Sequence, residues 1–296
     1  VGRSAIVPHV RRIGALLAAG AGVMSDTSSP TGAVPLARTR GLVKRYSSGG
    51  GLLAGARRAR EVVAVDGVDL DIAAGMTTAL VGESGCGKST LGRLILALEA
   101  PTAGRVEYRG RDLAGLDAAA LRGFRRSAQV VFQDPYGSLN PRLTVGSMLR
   151  EALGVHGLAR GAEARGRAEA LLERVGLPAD AAGRYPHEFS GGQRQRVGIA
   201  RALSVEPEFI VLDEPVSALD VSVQAQILNL LRELQAELGL TYLFVSHDLG
   251  VVRNLADRIV VMHRGRVVEQ GATARLLSAP DADYTRRLLA AVPRIP

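Results

Sequence analysis

The stretch MTTALVGESGCGKST, residues 76–90, decides the fold predicted for this chain. An apolar run over residues 76–81 predicts a buried strand, and the apolar spacing over residues 88–98 predicts a helix. Between them, residues 82–89 fit the pattern G-x-x-x-x-G-K-[S/T]. Glycines in such a turn let backbone N–H groups wrap around phosphate oxygens, and the helix N-terminus adds positive potential. The sequence therefore predicts a phosphate-binding loop between a buried strand and a helix.

Two side chains of this loop are predicted to hold a nucleoside triphosphate and its metal. Lys88 is expected to bridge the β- and γ-phosphates, and the Ser89 hydroxyl to ligate Mg²⁺. Among 37 basic residues only Lys44 and Lys88 are lysines, so Lys88 marks a position where a wide guanidinium does not replace a compact ammonium. The other residues predicted to contact the nucleotide here are Gly82, Glu83, Ser84, Gly85, Cys86, Gly87 and Thr90.

A second apolar run, residues 209–212, ends in the two acids Asp213 and Glu214. An acidic pair at a strand end is often only a solvated terminus. After a phosphate-binding loop it predicts a catalytic pair, in which Asp213 holds Mg²⁺ through water and Glu214 is the general base for the attacking water.

Composition and charge exclude several other classes of protein. The chain has 296 residues, of which 47% are hydrophobic and 22% charged, which excludes disorder and collagen-like repeats. The single cysteine, Cys86, excludes an internal disulfide framework. No run approaches the roughly 20 apolar residues of a membrane-spanning helix. Of the net charge of +8, residues 1–66 carry +7, with ten basic against three acidic residues. The rest is about neutral, so we expect no nucleic-acid partner.

The N-terminal residues 1–38 are predicted to be an extension outside the folded domain. Arg11-Arg12 and the following apolar run resemble the start of a secretory signal. Because the downstream motifs require ATP, our hypothesis is instead that translation begins at Met24 and that residues 1–23 are absent from the native protein.

The remaining chain alternates apolar strands with helical segments, which predicts a parallel sheet covered by helices. Alternating patterns at residues 41–46 and 62–72 predict two further strands, and residues 47–60 between them read as an inserted loop. An uninterrupted helical pattern over about residues 134–207 predicts an inserted subdomain.

Six motifs in one order resemble those of ABC transporter nucleotide-binding subunits. They are the phosphate loop, Gln133, Phe189-Ser190-Gly191-Gly192-Gln193, Asp213-Glu214, Ser217-Ala218-Leu219-Asp220 and His247. The resemblance covers about residues 39–275. It implies an α/β fold of the P-loop NTPase type, with a RecA-like parallel sheet core, an antiparallel β subdomain and an inserted ABC-type helical subdomain.

The resemblance also implies roles for residues outside the phosphate loop. Ser190, Gly191, Gly192 and Gln193 would form a signature at a helix N-terminus that closes on the ATP held by a second subunit. Asp220 would link the two sites, and Gln133 would touch Mg²⁺ or the attacking water. His247 would contact the γ-phosphate and steady the base. Tyr46 would stack on adenine, although an aromatic residue on a strand is also compatible with the core.

Longer tracts, such as VFQDPYGSLNPR and YPHEFSGGQRQRVGIARAL, resemble the ATPase subunits of oligopeptide, dipeptide and nickel importers. So does the tail, residues 276–296. This branch implies ATP and Mg²⁺, a second ATPase subunit that is a related chain or another copy, membrane permease subunits, and an extracytoplasmic solute-binding protein reached through the permease. It also implies a peripheral location on the cytoplasmic face of the membrane.

Other functions remain open at this stage. They are an importer for nickel or another solute, an ABC-type subunit of a soluble enzyme assembly such as carbon–phosphorus lyase, a soluble ABC ATPase of DNA repair, chromosome structure or translation, and a non-hydrolytic nucleotide-binding scaffold. An intact Glu214 argues against the scaffold.

Overall fold

The structure is a computed structural model that describes residues 34–48 and 60–291. The hypotheses about residues 1–23 and Met24, and most of the loop predicted over residues 47–60, lie outside the described residues. In the ranges that are described, every helix is too short or too polar to cross a lipid bilayer.

The centre of the fold is a six-stranded sheet in the order β10-β9-β3-β8-β7-β6. All neighbouring pairs are parallel except β9 with β10. Alternate residues of one strand join two different hydrophobic clusters, because side chains point alternately to the two faces of a sheet. Ile210 and Leu212 enter one cluster, and Phe209 and Val211 enter the other. The strands are β3 (Thr77–Val81), β6 (Ala128–Val131), β7 (Phe209–Asp213), β8 (Thr241–Ser246), β9 (Arg258–His263) and β10 (Arg266–Ala272).

A four-stranded sheet in the order β2-β1-β4-β5 covers one face of this core. Its pairs are antiparallel, and its apolar side chains, among them Leu42 and Val68, share a cluster with Leu91 and Leu94 of the helix Lys88–Ile95. The antiparallel β subdomain predicted from the sequence is therefore present. The strands are β1 (Ala37–Ser48), β2 (Arg60–Ile72), β4 (Ala103–Tyr108) and β5 (Arg111–Asp112).

Helices cover the rest of the sheet, and four of them lie within the predicted helical block. The helices are α1 (Lys88–Ile95), α2 (Ala118–Ser127), α3 (Pro135–Ser138), α4 (Val145–Val155), α5 (Gly161–Arg174), α6 (Gly191–Leu203), α7 (Val221–Leu238), α8 (Leu249–Leu255), α9 (Thr273–Ser278) and α10 (Asp283–Ala290). Helices α2 and α8 were not predicted. In α2 Phe124 is buried and Leu121, one turn earlier, packs against the same cluster, so the apolar stripe of this helix is only two large side chains long.

The ends of the predicted domain differ slightly from the observed elements. Strand β1 begins at Ala37, and the Leu36 N–H donates to the Ile72 carbonyl at 2.9 Å. The sheet thus takes in residues that the sequence assigned to the extension. The predicted boundary between residues 275 and 276 falls inside α9.

Parallel pairing brings the carboxyl ends of four strands to one edge of the sheet. Val81 of β3 pairs with Ser246 of β8, Asp213 of β7 pairs with Val245, and Val131 of β6 pairs with Leu212. Residues that follow these strand ends therefore meet, and open α/β sheets bind ligands at this edge.

Candidate functional site

The loop between β3 and α1 has no room for side chains at two of its glycines. A Cβ on Gly82 would lie 2.2 Å from the Met262 carbonyl oxygen, and one on Gly87 would lie 2.0 Å from the Ala64 carbonyl oxygen. Gly87 also has a φ of 107° and caps the N-terminus of α1. The loop is therefore pressed against β2 and β9, so its path depends on glycine. The shape agrees with the phosphate-binding loop predicted from the sequence.

Lys88 lies across this loop. Its side chain is buried at 4% exposure, and Nζ donates to the carbonyl oxygens of Gly82 at 2.7 Å and Glu83 at 2.9 Å. These two bonds hold the ammonium group above the turn, in the position from which it is predicted to reach a phosphate. Cys86 is buried beside it, and burial raises the pKa of its thiol.

Ser89 and Asp213 form the predicted metal pair. The Ser89 hydroxyl donates to Oδ1 of Asp213 at 2.9 Å, which joins the start of α1 to the end of β7. Burial raises the pKa of the Asp213 carboxyl above its usual value, and the neighbouring Glu214 raises it further. A hydroxyl and one carboxylate are hard oxygen ligands, the kind that Mg²⁺ takes when phosphates and water complete its shell. The donor set therefore fits Mg²⁺. Among the described residues, no group of three His, Cys, Asp or Glu side chains could hold a metal without such help.

The Glu214 carboxylate is held between two side chains from neighbouring strand ends. Its Oε2 lies 3.1 Å from Nε2 of Gln133, which donates to it, and 3.2 Å from Nδ1 of His247. The Glu214 side chain is 12% exposed while that of His247 is 50% exposed. Glu214 has a φ of 46°, a left-handed conformation that costs a non-glycine residue energy and is concentrated at functional sites. The three predicted catalytic residues are thus brought together by the fold.

Gln133 follows strand β6, which ends at Val131. The glutamine lies two residues farther along, and this extra length lets its amide reach Glu214.

Two residues that the sequence analysis did not single out fix the turn carrying His247. The Asp248 N–H donates to Oγ of Ser246 at 2.9 Å, and that hydroxyl donates back to the Asp248 carbonyl at 3.3 Å. Asp248 also caps helix α8 by accepting from the Gly250 N–H at 2.7 Å. An aspartate immediately before an apolar segment, here Leu249–Leu255, is a helix-start signal in the sequence.

The signature segment begins helix α6. Ser190 is its N-cap, and Ser190 and Gln193 form a reciprocal capping box, with N···O distances of 2.9 and 3.3 Å. A Cβ on Gly192 would lie 2.4 Å from Cγ1 of Val223 on α7, so this glycine is required for close helix packing. Gly191 lies beside Leu219.

Asp220 caps helix α7, which begins one residue later. Its Oδ1 accepts from the Val223 N–H at 2.9 Å and from the Ser222 hydroxyl at 2.7 Å. These hydrogen bonds lower the pKa of Asp220. Asp220 and the signature residues Ser190–Gln193 contact α6 and α7. The phosphate loop instead packs against β2 and β9 and is hydrogen-bonded to β7 through Ser89. The structure thus forms two separate groups of predicted site residues on one chain.

Tyr46 lies on the surface of the β subdomain near the loop, not in the core. Its ring is 38% exposed, with the Lys44 ammonium 5.1 Å from its centroid. Its hydroxyl bonds to the Glu99 carboxylate and lies close to Thr90. The core alternative for Tyr46 is therefore wrong, and adenine stacking stays a prediction.

A glycine-rich loop between strand and helix, next to a serine–aspartate pair and a clamped glutamate, defines a P-loop nucleoside triphosphatase. Comparison with known proteins narrows this class. Residues 65–217 match the family described as ABC transporter. The chain belongs to this family, as an ATP-binding subunit that hydrolyses ATP.

Relatives in three bacteria are about half identical to the chain. A putative peptide import ATP-binding protein of Brucella ovis is 51% identical over 259 residues, which are 88% of this chain and 79% of the relative. The dipeptide transport ATP-binding protein DppF of Haemophilus influenzae is 49% identical over 261 residues, again 88% and 79% of the two chains. The oligopeptide transport ATP-binding protein AppF of Bacillus subtilis is 52% identical over 238 residues, 80% and 72% of the two chains.

Solved structures agree with this assignment. An ATP-binding cassette captured as a dimer with ADP and Pi is 33% identical, with a TM-score of 0.68 over 80% of this chain and 98% of its own. A component of an ABC transporter complex of Clostridium perfringens is 28% identical, with a TM-score of 0.69 over 88% of this chain and 97% of its own. The predicted α/β P-loop fold is confirmed.

Proposed function

We propose that this chain powers an ABC importer for di- and oligopeptides. The proposal is carried by the relatives named above, which are peptide, dipeptide and oligopeptide transport ATP-binding proteins and match 80–88% of this chain at 49–52% identity. The match extends well beyond the residues of the nucleotide site. The substrate class would be set by the permease and the solute-binding protein, since the chain itself supplies the motor.

ATP would lie along the loop between β3 and α1. Lys88 would contact the β- and γ-phosphates, backbone N–H groups of residues 84–90 would surround them, and Tyr46 would stack on the adenine. Ser89 and Asp213, with Gln133, would hold Mg²⁺, which neutralises negative charge on the phosphates when bound. Because burial already disfavours the charged form of Asp213, a cation here would relieve an existing electrostatic cost.

Glu214 is the proposed general base. Its carboxylate accepts a hydrogen bond from Gln133 and contacts Nδ1 of His247, so two side chains fix its orientation before substrate arrives. A positioned carboxylate can take a proton from a water aimed at the γ-phosphate. His247, exposed on one side, would contact the γ-phosphate with its other nitrogen.

A second subunit would complete each site. The signature Ser190–Gln193 begins a 13-residue helix, and an exposed helix N-terminus is a ready anion site. We propose that it caps the ATP held by a related ATPase subunit or by another copy of this chain, with Asp220 joining the two sites. The pair would act on the permease from the cytoplasmic face of the membrane, with no nucleic-acid partner.

Transport of a labelled peptide tests this function. In cells that carry the whole transporter, Glu214→Gln should reduce uptake of a labelled di- or tripeptide at least about 100-fold, the loss expected when a general base is removed. The matched control is Glu233→Gln, the same chemical change at an exposed position on α7, and it should transport normally.

Two results would contradict the proposal. If the Glu214→Gln variant still took up peptide at the wild-type rate, peptide transport would not depend on ATP hydrolysis by this chain. Purification of the tagged chain in a soluble enzyme complex, without permease subunits, would favour the soluble-assembly alternative.

A further inference from the structure

The C-terminal tail reaches the phosphate loop. The hydroxyl oxygen of Tyr284, in helix α10, accepts a hydrogen bond from the backbone N–H of Glu83 at 3.4 Å. The two residues are 201 positions apart in sequence. No motif in the loop or in the tail indicates this contact, and the function described so far does not use it.

Helix α10 is fixed to the body of the protein independently of this hydrogen bond. Glu269 on β10, 9% exposed, accepts from the Asp281 N–H at 2.9 Å through Oε1 and from the Ala282 N–H at 3.1 Å through Oε2. Thr285 is fully buried, and Leu288 and Leu289 pack against the larger hydrophobic cluster. The tail is therefore a rigid support, because both ends of the segment that carries Tyr284 are anchored.

The Tyr284 ring contacts strand β9, against which the phosphate loop packs. It stacks on His263 at the end of β9, with ring centroids 4.2 Å apart and planes inclined by 28°. Strand β9 pairs with β3 at Val81, and the Gly265 N–H in the turn that follows donates to the Cys86 carbonyl at 2.9 Å. Stacking on His263 thus places the Tyr284 ring next to the turn after β9, and this turn is hydrogen-bonded to the phosphate loop through Gly265 and Cys86.

One peptide group connects Tyr284 to Lys88. The carbonyl oxygen of Gly82 and the N–H of Glu83 belong to the same peptide unit. Its oxygen accepts from Nζ of Lys88 at 2.7 Å, and its N–H donates to Tyr284. Since a peptide unit is planar, holding its N–H also fixes the direction of its carbonyl. Hydrogen bonds at both ends of a peptide unit polarise it and strengthen one another.

We propose that Tyr284 is a positioning residue for ATP binding: its hydroxyl fixes the Gly82–Glu83 peptide so that the carbonyl holds Lys88 over the phosphate loop. The tail thereby preorganises the loop and lowers the cost of ordering it when nucleotide arrives. The Tyr284 hydroxyl bonds to the backbone of the phosphate loop and does not contact Glu214, Gln133 or His247. It therefore acts on ATP affinity and leaves the chemical step unchanged. This inference rests on the proposed phosphate site and extends it to the tail.

Tyr284→Phe tests the proposal, because it removes the hydroxyl and keeps the ring on His263. A net hydrogen-bond contribution at the lower end of the usual range, as expected for 3.4 Å, predicts a rise of about two- to fivefold in the Kd for ATP and ADP. Calorimetry on the full chain measures this Kd, and steady-state ATP hydrolysis should show the same rise in KM with kcat unchanged. The matched control is Arg287→Ala, an exposed change on the same helix, which should leave both constants unchanged.

The outcomes are separable from those of the proposed function. An unchanged Kd in Tyr284→Phe, while the wild-type chain binds nucleotide, overturns the role of Tyr284 alone. Equal losses in Tyr284→Phe and Arg287→Ala, or a fall in kcat with constant KM, also overturn it, because they indicate general damage to the tail or an effect on chemistry. A wild-type chain that binds no nucleotide overturns the phosphate site itself.

Discussion

Asp213 and Glu214 are adjacent in sequence, yet their carboxylates have different surroundings. Asp213 accepts from the Ser89 hydroxyl and has a raised pKa because of burial. Glu214 turns away through a left-handed backbone and contacts Gln133 and His247. The sharp turn after β7 separates two acids that would otherwise compete for one role. Asp213 is placed to bind a cation, and Glu214 is placed to accept a proton.

The raised pKa of Asp213 predicts that this residue reduces the stability of the nucleotide-free protein. The folded state binds the proton more tightly than the unfolded chain, so the free energy of unfolding falls as pH rises above the usual aspartate range. Asp213→Asn removes this penalty and keeps an oxygen that accepts from Ser89. We expect the variant to have a higher urea midpoint than wild type at pH 7.5, with no ATP hydrolysis.

The control for this prediction is the pH dependence itself. The difference in urea midpoint between Asp213→Asn and wild type should shrink toward pH 4, where the wild-type carboxyl becomes protonated. A variant that is less stable than wild type at pH 7.5 would contradict a penalty from burial of the charge.

At the scale of elements, Gly192 leaves the space in which helix α6 approaches α7. The distance of 2.4 Å that would separate a Cβ on Gly192 from Cγ1 of Val223 is far inside van der Waals contact. The signature is thus positioned by packing between two helices as well as by the capping box of Ser190 and Gln193. Glycine here serves both the proposed anion site and the helix interface.

Gly192→Ala should therefore destabilise the protein by about 1–3 kcal/mol, the usual cost of overpacking. Val223→Ala alone should cost less than about 1 kcal/mol, because Val223 is half-buried. In the double variant the clash is gone, so the two effects should be non-additive by about 1 kcal/mol or more in the stabilising direction. Urea unfolding of the four proteins measures this coupling. Strict additivity would show that the contact does not limit the approach of the helices.

The sequence predicted those elements whose determinants are local. The loop at residues 82–89, the buried strands β3 and β7 and helix α1 each carry a pattern within one short window. The apolar stripe of helix α2 is only two large side chains long, Leu121 and Phe124, which is short of the window over which a helical period is recognised. The contact between Tyr284 and Glu83 spans 201 positions, and no local pattern specifies such a pair. The roles of Gln133 and His247 beside Glu214 were predicted only from the family resemblance. Their contacts with Glu214 depend on how the ends of β6, β7 and β8 meet, which no local pattern specifies.

At the scale of the whole molecule, the two groups of predicted site residues lie on different elements of one chain. The phosphate loop packs against β2 and β9 and is hydrogen-bonded to β7. Ser190 and Gln193 are hydrogen-bonded to each other, and Gly192 packs against Val223 of α7. In the proposed head-to-tail pair, the loop of each chain would meet the signature of the other, so a single type of contact would complete two sites. Such a closed arrangement has two-fold symmetry when both chains are the same.

Glu214→Gln should form this pair in MgATP, because nucleotide joins the two surfaces and is not hydrolysed. Light scattering should report twice the 31.1 kDa of one chain with MgATP and a single chain without nucleotide. Adding Ser190→Arg puts a bulky side chain at the tip of α6 and should return the protein to one chain. Ser278→Arg, an exposed serine on α9, is the matched control and should leave the pair intact. A Glu214→Gln protein that stays monomeric in MgATP would contradict pairing between copies of this chain, and a pair that survives Ser190→Arg would place the contact away from the signature.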